Sequence, residues 1–252
     1  MLHQKPVFVV VPARDEFPRI HRVISQLPAF VDAVVVVDDG SVDGTHARAR
    51  SALAGRGVAV RNEVALGVGA AIARGYRICA DYTDVSEAAI AVMAGDDQMD
   101  PGDLEAVVTP IVRGECSYVK GNRFAHADGA SAMPWDRKLG GHFFSRATSL
   151  AIGQPVHDSQ CGFTAISREC LVRLLSQPFW PGFGYPNVVL GDLARMGARV
   201  KEVPVRAVYA DEVSRLRAKH VFAIAGLIAR EAWKTHCTIH ATQGAAGVAS
   251  RA

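Results

Sequence analysis

Asp96 and Gln98, in the run Val92-Met93-Ala94-Gly95-Asp96-Asp97-Gln98-Met99-Asp100-Pro101, are the residues of this chain whose types and spacing most directly imply chemistry. The apolar stretch from Ala88 to Met93 stops abruptly at small and acidic residues. That pattern predicts a buried strand delivering carboxylates to a loop at its C-terminal end, where open α/β sheets bind their ligands. Acidic oxygens gathered there suit a hard cation, Mg2+ or Mn2+, usually shared with substrate phosphates. The plain alternative is an acidic turn, with Asp100 as N-cap of a helix that starts near Pro101.

A second strand end repeats the pattern. Ala33 to Val37 runs straight into Asp38-Asp39-Gly40-Ser41, and a continuous β-branched run signals a strand covered on both faces. The first strand, Val7 to Val11, ends in Pro12-Ala13-Arg14-Asp15-Glu16. A crevice lined by these three ends could grip a nucleotide. Its carboxylates would accept from ribose hydroxyls and base N–H groups, and a metal would bridge the diphosphate. Gly67 and Gly69 precede a helix and permit either close approach to a phosphate or a tight turn.

The elements that must position these residues alternate. Strands are expected at Val7–Val11, Ala33–Val37, Val58–Arg61, Ala89–Met93 and Tyr118–Lys120. Helices are expected at Pro18–Gln26, Thr45–Leu53, Gly69–Ala80 and Leu104–Arg113. Such alternation implies a mostly parallel, doubly wound α/β sheet flanked by helices. The second half is less regular. A long loop at 122–137 leads into a helix near Lys138–Ala151, then a strand at Phe163–Ser167 and a helix to Leu175. Pro186–Met196 is expected as helix, and Val200–Val208, interrupted by Pro204, as an edge strand. Residues 213–235 place Val213, Leu216, Ile224, Leu227 and Ile228 near one helical stripe among Lys and Arg. That stripe suits either the surface of an anionic membrane or a helix docked on its own core. The Ala-, Gly- and Ser-rich end, 238–252, is expected as a disordered tail.

Composition sets bounds. The chain has 252 residues and is 49% hydrophobic, enough for a substantial core. A net charge of +3 is too modest to argue for a nucleic-acid partner. The five cysteines are odd in number and lack zinc spacing, so reduced thiols are expected. No signal peptide is visible, and no apolar run reaches the ~20 residues of a membrane span. The expected location is cytoplasmic, with the 213–235 stripe leaving peripheral contact with the inner face of the membrane open.

These motifs, in this order, resemble family 2 glycosyltransferases with the GT-A fold. Pro12–Glu16 and Val37–Thr45 look like the family's start, followed by Asn62, Gly67, Gly69 and Ala70-Ala71. Met93–Pro101 stands at its Asp-x-Asp metal motif. Gly121-Asn122-Arg123-Phe124, Asp158–Phe163 and Glu202-Val203-Pro204-Val205 continue the series. The chain is most similar to the dolichol-phosphate mannosyltransferase and polyprenyl-phosphate glycosyltransferase branch. Ala94 replaces the first Asp of the metal motif, Asp97 stands where a Leu is common, and 209–214 lacks an Arg that some relatives place against the acceptor phosphate.

The resemblance implies an inverting transferase that moves a sugar from a UDP- or GDP-activated donor, of the UDP-glucose or GDP-mannose type, to a polyprenyl or dolichyl phosphate. It implies that Pro12, Ala13, Arg14, Glu16, Asp38, Asp39, Gly69 and Asp96 hold the nucleotide-sugar, and that Asp96 and Gln98 hold Mg2+ or Mn2+. It further implies that Asp158 acts near the acceptor as a base or an orienting group, while Arg123 and Arg137 bind phosphate. Its expected domains are a GT-A unit over 1–212 and an amphipathic helix over 213–237. Transfer to a soluble glycan or metabolite, nucleotidyl transfer, and a non-catalytic nucleotide-sugar-binding subunit are the competing readings.

Overall fold

The β-branched run at 33–37 forms strand β2 (Ala33–Asp38), and every residue of it is buried. The structure, a computed structural model, describes residues 1–126, 133, 135–208 and 218–249, without the side chains of 136, 137, 218, 219 and 238–249. β2 pairs in parallel with β1 (Val7–Ala13) and β3 (Gly57–Arg61), and β1 pairs in parallel with β4 (Ala89–Val92). Helices α1 (Phe17–Ser25), α2 (Thr45–Leu53) and α3 (Val68–Tyr82) make the connections, as the alternation predicts.

The second half completes the sheet differently. It runs through α4 (Leu104–Val112), β5 (Tyr118–Asn122), α5 (Trp135–Ile152), β6 (Thr164–Ser167), α6 (Arg168–Leu175), α7 (Tyr185–Arg195), β7 (Val200–Pro204) and α8 (Ala218–Ala249). The seven strands lie in the order β3-β2-β1-β4-β6-β5-β7. β6 is antiparallel to both of its neighbours, and every other pairing is parallel. β7 sits at the edge, where Pro204 leaves no ladder donor missing.

Alternation along each strand divides the core in two. Phe8, Val10, Val35 and Ile90 pack with residues of α3 and α5 to α8. Val9, Val11, Val34 and Val36 pack with Ile20, Val23 and Leu104 on the opposite face. Register then sets the site: Ala13 pairs with Asp38 and Asp38 with Arg61, so three strand ends stand in one row at the C-terminal edge.

α8 resolves the stripe in the C-terminal segment. Ile224, Leu227 and Ile228 are buried, and α8 packs on α5 and α7. These residues therefore cover the protein's own core; Val213 and Leu216 lie outside the described residues. The helix continues past residue 237 to Ala249, into the segment whose composition suggests disorder. Alanine, frequent there, is the strongest helix former. Among the described residues, no helix is long and apolar enough to cross a membrane.

Candidate active site

Four loops at the C-terminal edge are stitched together by backbone and short polar side chains. Pro12 O accepts from Gly95 N (3.0 Å) and Ala13 O from Asp39 N (2.8 Å). Asp15 adopts φ 52°, donates its N–H to Ser41 Oγ (2.8 Å) and accepts from Val42 N (3.1 Å). Buried Glu16 donates its N–H to Thr45 Oγ1 (2.8 Å) and accepts from Arg19 Nη1 (3.0 Å). Arg14 is exposed beside Asp15. Asp38 is fully buried; its Oδ1 accepts from the N–H and hydroxyl of Ser41, and its Oδ2 lies 3.3 Å from Arg61 Nε.

Asp39 holds the next loop. Its Oδ1 accepts from Asn62 Nδ2 (2.8 Å) and Leu66 N (2.9 Å), and its Oδ2 from Gly67 N (2.8 Å). The loop then passes under the 180–182 segment. Gly67 has φ 105°, and a Cβ on Gly69 would lie 2.0 Å from Trp180 O. The close approach that Gly69 permits is thus taken by the Trp180–Pro181 backbone, and Ala70 N donates to Pro181 O (3.1 Å). Gly69→Ala is expected to cost about 1–3 kcal/mol through overpacking. Urea denaturation checks this, with an unchanged midpoint as the contrary result.

Asp96 and Gln98 share one turn after β4. Gln98 N donates to Asp96 Oδ1 (3.2 Å), and both side chains are half-buried. Asp97 turns away, with φ 65°, to pair with Arg22 of α1. Ala94 N donates to Met99 Sδ (3.3 Å). Asp100 caps the 3-10 turn at Pro101–Asp103, accepting from Gly102 N (2.8 Å), so the capping expectation also holds. Among the described residues, no group of three or more His, Cys, Asp and Glu is placed to hold a metal by itself. One carboxylate and one amide nevertheless fit Mg2+ or Mn2+, because Mg2+ is commonly held by one or two carboxylates together with waters and substrate phosphates.

Two of the predicted site residues, Arg123 and Asp158, form an ion pair. Arg123 follows β5, and its Nε and Nη2 donate to Asp158 Oδ2 and Oδ1 at 2.7 and 2.9 Å; its backbone N adds a third bond at 3.0 Å. Asp158 is fully buried and Arg123 a quarter exposed. Burial pushes the Asp158 carboxyl upward, but the hydrogen bonds and charge of Arg123, with the charge of Lys120, outweigh it and leave the pKa below the ordinary value. Burial lowers the pKa of Lys120, whose Nζ donates to Cys161 O. Burial pushes the Cys161 thiol up, so it is not poised as a nucleophile. Met99 links the two halves: a Cβ on Gly162 would lie 3.2 Å from Met99 Cε. Arg137 falls in the first turn of α5, and its side chain is outside the described residues.

Glu202 is the functional candidate that sequence reasoning passed over. It stands opposite Lys120 in the β5–β7 ladder and accepts from the backbone N–H groups of His157 (2.9 Å) and Asp158 (3.0 Å). Its second oxygen meets His157 Nδ1 at 2.5 Å. The Glu-Val-Pro-Val motif therefore fixes the loop that carries Asp158. The available signal was an acid whose strand position is opposite a lysine, Lys120, in the middle of the buried strand β5.

Comparison with known proteins agrees with this geometry. The family described as Glycosyl transferase family 2 matches residues 8–175. The UDP-N-acetylglucosamine–dolichyl-phosphate N-acetylglucosaminyltransferase of Methanococcus voltae is 27% identical over 226 residues, covering 82% of this chain and 87% of that protein. The dodecaprenyl-phosphate galacturonate synthase of Rhizobium johnstonii is 26% identical over 208 residues, covering 74% and 57%. Glucosyl-3-phosphoglycerate synthase from Mycobacterium tuberculosis, crystallised with Mn2+, UDP-glucose and phosphoglyceric acid, shares the fold with a TM-score of 0.69 at 22% identity, covering 91% of this chain and 80% of that one. The matched family spans more than half of the chain and all four stitched loops, and the chain belongs to glycosyl transferase family 2, as a glycosyltransferase of GT-A fold.

Proposed function

We propose that this enzyme moves a sugar from a UDP- or GDP-activated donor, with inversion, to a polyprenyl phosphate. The observation that carries the acceptor is the Arg123–Asp158 pair. A hydroxyl acceptor needs a base to remove its proton. Asp158 is a poor one: three hydrogen bonds from Arg123 occupy it and its pKa is lowered. A phosphate acceptor is already ionised and needs an aimed cation, which a guanidinium fork supplies. The names of the two lipid-phosphate relatives support the same reading.

In this reading the donor's nucleoside lies over the Pro12–Glu16, Asp38–Asp39 and Asn62–Gly69 loops. Asp96 and Gln98 would hold a divalent cation. The bound cation supplies neutralisation of the charge that grows on the leaving nucleotide. Arg123, held by Asp158, aims the acceptor phosphate at the anomeric carbon, and Glu202 acts as a positioning residue for that pair. Peripheral contact with the membrane would bring the lipid to the site.

Two measurements test this. Purified protein with UDP- and GDP-sugars should glycosylate a polyprenyl phosphate but not the matching polyprenol; turnover on soluble sugars alone would overturn the acceptor. Asp39→Ala should weaken donor binding about ten-fold, because a hydrogen bond to a charged group is worth about 1.5–3 kcal/mol and three of them order the 62–67 loop. Calorimetry showing unchanged donor affinity would remove this loop from the donor site.

A further inference from the structure

Two helices packed on each other, α5 and α8, carry large apolar side chains on their outer sides. Trp135, Leu139, Phe143 and Leu150 fall on one stripe of α5 at helical spacing, and Phe222 and Trp233 lie on one side of α8, three turns apart. All six are between 65% and 78% exposed. The opposite sides of both helices are already used. Phe144, Ala151 and Ile152 of α5, and Ile224 and Ile228 of α8, lie in the core. Core packing therefore does not explain the outer stripes, and apolar stripes left exposed on two helices in contact mark an interaction surface.

Charge selects the occupant. Over 135–152 the sequence places Arg137, Lys138 and Arg146 against one acid, Asp136; over 218–249 it places Lys219, Arg230 and Lys234 against one acid, Glu231. Glu231 is buried and already paired with Arg195, Arg230 and Lys234. Lys138 and Arg146 are exposed on α5. A second copy of this chain would bring like charges together across a two-fold interface. Anionic headgroups would meet the cations with attraction, while Trp and Phe insert at the depth such rings prefer. The helix is also tied to the acceptor side: Ser145 Oγ of α5 accepts from Ser159 N (2.9 Å), next to Asp158.

We infer that the outer face of α5 and α8 docks on an anionic phospholipid surface through Trp135, Leu139, Phe143, Leu150, Phe222 and Trp233. This is a different face from the Ile224–Ile228 stripe. The inference rests on the lipid-phosphate reading only for its purpose, which is to hold the acceptor's headgroup at the level of Arg123.

Full-length protein is sedimented with vesicles of phosphatidylcholine, and of phosphatidylcholine mixed with phosphatidylglycerol. The wild type should pellet with the mixed vesicles, and less so in high salt. Leu139→Glu with Phe143→Glu, and separately Trp233→Glu, should lower that partitioning about ten-fold or more by removing buried apolar area. Melting temperature, donor binding and transfer to a short water-soluble polyprenyl phosphate should stay as in the wild type. Absence of vesicle binding by the wild type overturns the inference, as does binding by the variants equal to the wild type's. So does a wild-type dimer in sedimentation velocity that the same substitutions dissociate, since the face then belongs to a second copy. Vesicle binding through this face without transfer to any polyprenyl phosphate upholds the docking surface and rejects the acceptor reading instead.

Discussion

Asp158→Ala is expected to destabilise the protein by about 3 kcal/mol and to abolish most transfer, because removing one member of a buried ion pair strands the other. The partner is Arg123, which loses all three hydrogen bonds to the carboxylate. It is a quarter exposed, so water recovers part of the loss and places the cost at the lower end of the range. The linkage to pH has a definite sign. The folded-state pKa of Asp158 lies below the ordinary 3.8. Its contribution is therefore present above the unfolded pKa and is lost as pH falls through the lower, folded value. Urea unfolding of wild type and variant at neutral pH should differ by the full amount. The difference should shrink in acid below pH 3.8, the ordinary value for the group.

Activity separates the two roles open to Asp158. If it were the base, the wild-type rate would carry an acidic limb set by a carboxylate, and Asp158→Asn would remove it. With a phosphate acceptor, the limb should sit near pH ~6, where a phosphate monoester takes its second charge, and should survive in Asp158→Asn. Glu202→Gln should raise the acceptor KM more than it lowers kcat, because it loosens the 157–158 backbone without touching the acceptor. A carboxylate-type limb that vanishes in the Asn variant would make Asp158 the base.

Asp96→Asn is expected to lower turnover by at least about 100-fold with the fold intact, since even outer-shell partners of a metal commonly cost 10–100-fold when lost. The side chain is half-buried on a loop, and its Oδ1 accepts the backbone N–H of Gln98. Asparagine keeps an oxygen for that bond and loses the charge a divalent cation needs. The same loss should follow from excess chelator on the wild type, reversed by Mg2+ or Mn2+. Donor binding followed by calorimetry gives a second readout: metal should tighten the nucleotide-sugar in the wild type and leave the variant nearly unchanged. Wild-type turnover by Asp96→Asn, or by the wild type in excess chelator, would remove the cation from the reaction. Ala94→Asp tests the residue where the motif departs; unchanged metal affinity would put position 94 beyond reach of the cation.

The fold was legible where chemistry is local. Five apolar residues ending in Asp38-Asp39, and six ending before Asp96, predict strands covered on both faces that open onto a polar edge, and both form. Helix α2 occupies Thr45–Leu53, as its spacing predicts, and Pro204 consigns β7 to an edge. These features follow from side-chain periodicity and backbone donors, which neighbouring residues determine. The motifs in their order also carried the family. Tertiary structure decided the rest, because it depends on which distant groups meet. Asp39 reads as a ligand-facing acid, yet its oxygens are met by Asn62, Leu66 and Gly67 once β2 and β3 lie side by side. Arg123 and Asp158 read as two separate groups; they form one ion pair because β6 runs antiparallel beside β5 and returns the 158–163 segment to the end of that strand. Gly69 reads as room for a phosphate, and the backbone of Trp180 fills it. The stripe on α8 has the same period whether it faces lipid or protein, so periodicity alone had no means to choose. Packing on α5 and α7 chose the core, and left the other sides of α5 and α8 to face outward.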